Sequence, residues 1–387
     1  MTDSTRQQSN SSSTAMKGLV FDESLLFEMG SPGRAAYSLP KSDVPEVELG
    51  ALLPEGEIRD PIKNFPELTE LDVVRHFTRL SQWNFSIDTN FYPLGSCTMK
   101  YNPKINEVTA ALPGFTQHHP YTPEALSQGS LQLMFELQEY LKEISGMAHV
   151  TLQPAAGAHG ELAGMLMIHA YLAKQGVQRK KIILPDSAHG TNPASAALCG
   201  YSVVQIQSDE RGLIDPAKLE SMMDEDTAAI MLTNPNTLGM FETDIMKITE
   251  IVHNKGGLVY CDGANLNAVM GKTKMDAMGI DVLHFNLHKT FSTPHGGGGP
   301  GAGPVGVIDK LEPYLPVPVI EHTDGRYKLN SDRPDSVGKM KAFFGNFGIL
   351  VRAYTYIRSL GPEGIKLAAE MAVLNANYIK ASLQEQY

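Results

Sequence analysis

From about residue 150 onward, the chain alternates short apolar runs with amphipathic stretches, and this alternation restricts its possible folds most strongly. The apolar runs, which predict strands, are residues 181–184, 202–206, 228–232, 258–261, 282–285 and 305–308. The stretches between them with helical periodicity are residues 161–174, 216–223 and 243–254. Near-continuous apolar strands that alternate with helices are typical of a parallel sheet covered on both faces. The sequence therefore predicts an α/β fold with a mostly parallel sheet between helices.

Polar side chains follow several of these predicted strands. Asp186, Asn234 and Asp262 each stand at or just after the carboxyl end of an apolar run. In open α/β sheets, ligands bind beyond the carboxyl ends of the strands. We therefore expect these residues to converge on one binding site.

Asp262 and Lys289 together indicate the cofactor. Lys289 follows the apolar run 282–285, and Asp262 ends the run before it. A lysine amine can form a Schiff base with the aldehyde of pyridoxal phosphate. A carboxylate beside the pyridine nitrogen keeps that nitrogen protonated, which makes the ring an electron sink. We predict that both residues are catalytic and that the cofactor is pyridoxal 5'-phosphate.

Small residues before a predicted helix suggest a phosphate site. Gly157 and Ala158 lie in a turn that runs directly into the helical stretch 161–174. Small side chains let backbone N–H groups approach a phosphate, and a helix N-terminus adds partial positive charge. A plain loop before a helix is the alternative. We assign both residues to cofactor binding.

Four further residues complete the predicted cofactor site. His189 could lie flat on the cofactor ring as a third catalytic residue, and Thr191, or alternatively Asn192, could reach a substrate carboxylate. Their segment, 186–192, is otherwise a turn whose polar side chains satisfy backbone donors. Ala264 is small enough to support the other face of the ring, and His288 could position the phosphate or shuttle protons.

Other motifs give weaker signals. The glycine-rich run 296–303 lacks the Gly-Lys-Ser/Thr of a nucleotide-binding loop, so we interpret it as a flexible loop lining a channel. No metal site is predicted, because the histidine spacings match no compact zinc pattern. Cys97 could influence a redox step, although a structural thiol is the simpler interpretation.

Charge and composition limit the partners and the compartment. The net charge of −11 disfavours a nucleic-acid surface, and no apolar run approaches the length that spans a bilayer. The 3 cysteines are far apart and lack metal-type spacing, which suits a reducing compartment. Because no secretory or organelle signal is recognisable, we expect a cytoplasmic protein without nucleic-acid or membrane partners.

The sequence also suggests a domain organisation. We expect a disordered tail over residues 1–16, a proline-punctuated N-terminal arm over 17–150 with helices at 70–82 and 130–145, and a large cofactor-binding α/β domain over 151–350. Residues 351–387 would begin a smaller C-terminal domain. The stretch 362–387 has helical composition and no terminating signal. We therefore expect that domain to be truncated.

Five motifs in this order are jointly specific. They are residues 94–103 (LGSCTMKYNP), 156–161 (AGAHGE), 186–192 (DSAHGTN), 260–265 (YCDGAN) and 286–290 (NLHKT). Together they make the chain similar to the P-protein family of the glycine cleavage system. Within that family, the chain most resembles the second subunit of the members that are divided into two subunits.

The resemblance implies a fold-type I pyridoxal-phosphate enzyme with Lys289 as its Schiff-base lysine. It implies decarboxylation of glycine, transfer of the aminomethyl group to the lipoyl arm of H-protein, and release of CO2. It further implies a partner, subunit 1, in an α2β2 assembly.

Other functions remain open from the residues alone. A different enzyme on this fold, such as an aminotransferase or a cysteine desulfurase, would use the same lysine and acid. A non-catalytic scaffold subunit is the alternative from another class, although a scaffold needs neither Lys289 nor Asp262.

Overall fold

A computed structural model describes residues 23–35, 37–90, 100–294 and 301–386. Packing divides the chain into two compact units, Met1–Tyr92 and Pro93–Tyr387. The helices are α1 Leu26–Met29, α2 Leu49–Leu52, α3 Glu70–Trp83, α4 Lys104–Ala110, α5 Pro113–Thr116, α6 Gln128–Ser145, α7 Gly157–Lys174, α8 Thr191–Leu198, α9 Pro216–Met222, α10 Ile245–Asn254, α11 Leu287–Thr290 and α12 Phe347–Leu383. The strands are β1 His149–Thr151, β2 Lys181–Pro185, β3 Ser202–Ile206, β4 Thr227–Thr233, β5 Leu258–Gly263, β6 Val282–Phe285, β7 Val305–Val307, β8 Val319–Thr323 and β9 Arg326–Asn330.

The first unit is built around helix α3. Thr69 caps this helix by accepting a hydrogen bond from the Asp72 N–H, and the Asp72 carboxylate accepts one from the Thr69 N–H in return. This reciprocal capping fixes where the helix begins. Among the described residues of this unit, Leu68 and His76 are the buried side chains.

The second unit contains the main sheet. Within the described residues its strand order is β1-β7-β6-β5-β4-β2-β3. Strands β2 to β6 pair in parallel, whereas β7 is antiparallel to both β6 and β1. The run at 305–308 is thus a strand as predicted, but its direction is reversed. Strand β1 was not predicted, because three residues are too few to establish a period.

Both faces of the sheet are covered. Side chains of one set pack against α6, α10 and α12, and they include Ile183, Ile230, Val259 and Leu283. Their immediate neighbours in sequence pack on the other face, largely against α7, and they include Ile182, Ala229, Tyr260 and Val282. Successive strand residues point to opposite faces. This explains why the strands are continuously apolar instead of alternating with polar residues.

Some boundaries differ from the sequence expectation. Helix α7 begins at Gly157, four residues before the predicted start, and α12 begins at Phe347 instead of 362. Gly361 interrupts α12 with φ 64° and ψ −178°. The predicted domain division at 150 and 350 stays a prediction, and both positions lie in the second compact unit.

Two further features complete this unit. Strands β8 and β9 form a hairpin that the sequence did not predict. No helix of the described chain combines the length and apolar character required to cross a membrane.

Candidate functional site

The predicted polar residues meet at the carboxyl edge of the parallel strands. Asp262 stands at the end of β5, in register with Thr233 on β4 and with His284 on β6. Helix α11, which carries Lys289, follows β6 after a single residue. Adjacent parallel strands end at the same edge of a sheet, so both predicted catalytic groups come to one place.

Asp262 is buried and surrounded by donors. Its Oδ1 accepts from the Ala264 N–H at 2.9 Å, and its Oδ2 accepts from Asn192 Nδ2 at 3.2 Å. His284 Nε2 lies 3.3 Å from Oδ1. Burial raises the pKa of Asp262, but His284, the two hydrogen bonds and the positive charge of Lys289 outweigh it and lower the pKa. The carboxylate is therefore ionised at neutral pH and can pair with a protonated ring nitrogen.

Lys289 is half-buried in the short helix α11. The segment around it is held by Lys100, whose Nζ donates to the carbonyl oxygen of His288 at 2.5 Å and to that of Thr293 at 2.9 Å. His288 is buried, and a Cβ at Gly301 would lie 3.0 Å from its Nδ1. These contacts fix the backbone that presents the Lys289 amine at the site.

The N-terminus of α7 forms a close-packed cradle. A Cβ at Gly157 would lie 2.3 Å from Asn286 Oδ1, and one at Gly303 would lie 2.0 Å from the carbonyl oxygen of Ala156. Ala156 precedes the helix without a side-chain cap, and no side chain in the described part of the chain binds the N–H groups of Gly157 and Ala158. An 18-residue helix with such an end is suited to bind a phosphate.

Several buried polar atoms point to a bound group. Asn286 Oδ1, Thr290 Oγ1 and Thr293 Oγ1 have no hydrogen-bond partner among the described residues. Buried polar groups are normally paired, so atoms of this kind mark places where a ligand or water completes the structure. The cradle, these atoms and the ionised Asp262 together fit a phosphorylated pyridine cofactor.

His189 and Thr191 lie at the start of α8. His189 Nδ1 is 2.8 Å from Thr191 Oγ1, and that hydroxyl donates to Glu161 Oε1 at 2.7 Å. Ser195 Oγ donates to the other carboxylate oxygen of Glu161 at 3.3 Å. Glu161 is only 3% exposed, and its contacts connect α7 with α8.

Sequence reasoning missed three side chains of this site. Glu161 and Asn286 are buried and make the contacts described above, and His284 contacts Asp262. Of these three, His284 had an available signal, because it stands at the end of the strand that precedes Lys289. Asn192, which the sequence offered as a contact for a substrate carboxylate, donates to Asp262. The donor atoms of Glu161, Asp262 and His284 lie within 4.8 Å of one another. The histidine spacings did not predict this grouping, since its members come from three elements far apart in sequence.

Some predicted features lie outside the described residues. They are the predicted tail over residues 1–16, Cys97, residues 94–99 of the first motif and residues 296–300 of the glycine-rich run. The described cysteines, Cys199 and Cys261, are free thiols. Burial raises the pKa of Cys199 to about 11 and that of Cys261 to about 12, so both are poor nucleophiles at neutral pH.

Comparison with known proteins identifies related sequences. A family model described as aminotransferase class-V matches residues 159–298. A probable glycine dehydrogenase (decarboxylating) subunit 2 from Listeria monocytogenes serotype 4a (strain HCC23) is 57% identical over 364 residues, which is 94% of this chain and 75% of that protein. A protein of the same description from Bacillus licheniformis is 57% identical over 367 residues, covering 95% of this chain and 76% of that one.

Solved structures share the fold. A glycine decarboxylase (P-protein) of the glycine cleavage system, in inhibitor-bound form, has a TM-score of 0.72 at 24% identity, covering 87% of this chain and 77% of that chain. A sphingosine-1-phosphate lyase from Burkholderia pseudomallei has a TM-score of 0.61 at 15% identity, covering 85% and 77%. The predicted α/β fold of type I, with its mostly parallel sheet between helices, is confirmed.

Proposed function

The chain belongs to the family of glycine dehydrogenase (decarboxylating) subunit 2, and we propose that it decarboxylates glycine with pyridoxal phosphate held at Lys289. The observation that carries this proposal is the arrangement at the carboxyl edge of the sheet, where the buried Asp262 accepts hydrogen bonds from Ala264 and Asn192 and the helix that carries Lys289 follows the adjacent strand. Enzymes of this family and fold depend on pyridoxal phosphate.

Each side chain would have a separate task. Lys289 would hold the cofactor aldehyde covalently, and the ionised Asp262 would keep a proton on the ring nitrogen. The N–H groups of Gly157 and Ala158 would bind the phosphate. The bound cofactor supplies an electron sink for the negative charge that loss of CO2 leaves on the substrate carbon.

The remaining predicted residues would orient the ring and the substrate. His189 would pack against one face and Ala264 would support the other, which restricts the tilt of the ring. Thr191 would lie near the substrate, and His288 would help to position the phosphate or move protons. Asn192 and His284, which contact Asp262, would hold its carboxylate in place.

The family description as subunit 2 implies a partner subunit in a glycine cleavage system. We propose that the partner is subunit 1 in an α2β2 assembly, and that lipoylated H-protein accepts the aminomethyl group. A cytoplasmic location is also part of the proposal, because cysteines are sparse and the two that the structure describes, Cys199 and Cys261, are free thiols, which suits a reducing compartment.

The relatives do not favour the alternative functions. Both relatives named above are described as decarboxylating glycine dehydrogenase subunits, which argues against an aminotransferase or a cysteine desulfurase. A scaffold without turnover would have no use for the ionised Asp262 beside Lys289.

The covalent attachment can be tested directly. We expect borohydride reduction of the chain loaded with pyridoxal phosphate to fix one cofactor to the peptide that contains Lys289, as read by mass spectrometry. Lys289→Ala should lose this adduct, whereas the exposed-site control Lys255→Ala should keep it. An adduct that persists in Lys289→Ala would refute the lysine assignment.

The substrate needs a second measurement. With subunit 1 and lipoylated H-protein present, wild-type chain should exchange the carboxyl group of glycine with labelled CO2, and Lys289→Ala should not. Absence of exchange in the wild-type mixture, with the cofactor bound, would refute glycine decarboxylation.

A further inference from the structure

Glu161 is a buried acid that the proposed mechanism does not use. It lies in the second turn of α7 and is 3% exposed, and both of its oxygens accept hydrogen bonds from hydroxyl groups of α8. Burying a carboxylate destabilises a fold unless its oxygens are hydrogen-bonded. A buried acid beside the site is therefore a candidate for a functional role.

The hydroxyl of Thr191 joins this acid to His189. Thr191 Oγ1 is 2.7 Å from Glu161 Oε1 and 2.8 Å from His189 Nδ1. A hydroxyl has one hydrogen to donate, and an ionised carboxylate can only accept. When the hydrogen of Thr191 goes to Glu161, the oxygen of Thr191 must accept from His189, which places a hydrogen on Nδ1.

One contact opposes this arrangement. The backbone N–H of Thr191 approaches His189 Nδ1 at 3.3 Å, and as a hydrogen bond it would require a lone pair on Nδ1. The two contacts of the hydroxyl are at least half an ångström shorter, and one of them ends on a carboxylate, which makes it the stronger kind of hydrogen bond. The shorter contacts therefore decide the tautomer.

We propose that Glu161 is a positioning residue that acts through Thr191 to hold neutral His189 with its hydrogen on Nδ1. His189 then presents a lone pair at Nε2, and the group that faces this nitrogen must be a hydrogen-bond donor. If the proposed function holds, on which this second part rests, a suitable donor is the protonated amine of an amino acid. The tautomer itself is set by contacts within the chain and requires no ligand.

Nitrogen-15 NMR of the cofactor-free protein, labelled at its histidines, tests this inference. The ring nitrogens of each tautomer have distinct resonances, and His189→Gln identifies those of His189. In wild-type protein at a pH where His189 is neutral, we expect the Nδ1–H form. A dominant Nε2–H form would overturn the proposal, whatever the variants do.

The variants test the role of Glu161. Thr191→Val removes the connecting hydroxyl with little change of shape, and Glu161→Met removes the acceptor, so each should move His189 predominantly to the Nε2–H form. Glu161→Gln keeps a carbonyl oxygen as acceptor and should retain the wild-type form. Ser195→Ala removes the other hydroxyl on Glu161 and should leave His189 unchanged. Retention of Nδ1–H in both Thr191→Val and Glu161→Met would refute the coupling.

This result is separable from the test of the enzyme. A chain with the expected tautomer that fails to exchange the glycine carboxyl group would keep the coupling and refute the proposed function. A chain that exchanges the carboxyl group while His189 carries its hydrogen on Nε2 would keep the proposed function and refute the coupling. Circular dichroism and thermal unfolding show that each variant is folded before its spectrum is interpreted.

Discussion

Single residues determine how closely the chain can approach a phosphate. At Gly157 a Cβ would lie 2.3 Å from Asn286 Oδ1, so any side chain there would force the buried Asn286 side chain to move. We expect Gly157→Ala to lower the free energy of unfolding by about 1–3 kcal/mol, because the added methyl overpacks a rigid site. It should also weaken pyridoxal phosphate binding, measured by spectroscopic titration alongside urea unfolding.

A matched glycine provides the control. Gly129 is also in the first turn of a long helix, α6, and a Cβ there would meet no atom within 4 Å. Gly129→Ala should leave cofactor binding unchanged and should leave stability equal or up to about 1 kcal/mol higher, since alanine favours helix. Equal behaviour of the two variants would contradict the proposed cradle.

Sequence reasoning at the residue scale named the two groups to which we assign the cofactor chemistry. Asp262 and Lys289 were recognisable because pyridoxal phosphate needs both an acid and a lysine, and these two residues follow adjacent apolar runs. Glu161 was not recognisable, because an acid in a helix is usually exposed. Its burial depends on α8 lying against α7, and sequence does not show that contact.

At the scale of elements, a buried ion cluster holds β5, β6 and α10 together. Asp281 directly precedes β6 and is 2% exposed. It accepts from the Val259 N–H at 2.7 Å and contacts His253 Nε2 at 2.8 Å and Lys310 Nζ at 3.0 Å. At neutral pH we expect Asp281→Asn to lower the free energy of unfolding by roughly 1.5–3 kcal/mol, since hydrogen bonds to a charged group are lost. Urea unfolding measures this.

The pH dependence of this cluster has a definite sign. Burial raises the pKa of Asp281, but the opposing effects of His253, Lys310 and the Val259 N–H are larger. The pKa of Asp281 therefore lies below its ordinary value. A depressed pKa stabilises the fold above the unfolded value of about 3.9, and this contribution is lost as pH falls through the lower folded value. The difference in free energy of unfolding between wild type and Asp281→Asn should therefore become smaller below about pH 4. Asp332 is exposed and serves as the control: the free energy of unfolding of Asp332→Asn should stay within about 0.5 kcal/mol of the wild-type value at neutral pH.

Elements were predictable where they are long or strongly apolar. Strands β2 to β6 were predicted nearly in full, since buried parallel strands leave continuous apolar runs. Helix α8 was not predicted, because its sequence TNPASAAL has almost no large apolar residue to establish a period. The reversed direction of β7 also had no local signal, since strand direction depends on the connection and the pairing.

Over the whole molecule, the sheet separates two apolar cores. Leu137 of α6 packs in one core and Ile168 of α7 in the other, and both are fully buried. We expect Leu137→Ala and Ile168→Ala each to lower the free energy of unfolding by about 2–5 kcal/mol. Because the sheet lies between the two side chains, the loss in the double variant should equal the sum of the two single losses within about 0.5 kcal/mol.

The measurement is chemical denaturation of the four proteins in one double-mutant cycle. The surface control Leu198→Ala removes a side chain that is 76% exposed and should stay within about 0.5 kcal/mol of wild type. A coupling energy well above about 0.5 kcal/mol would show that the two cores do not act independently.

The sequence by itself determined the α/β class, the parallel strands, and the lysine and acid that indicate pyridoxal phosphate. These features are local, because the apolar period and the strand-end positions are written along consecutive residues. Only the tertiary structure decided which distant side chains complete the site: Glu161 beside Thr191, His284 beside Asp262, and Asn286 against Gly157. Their positions depend on strand register and on helix packing, which join segments that are far apart in the chain.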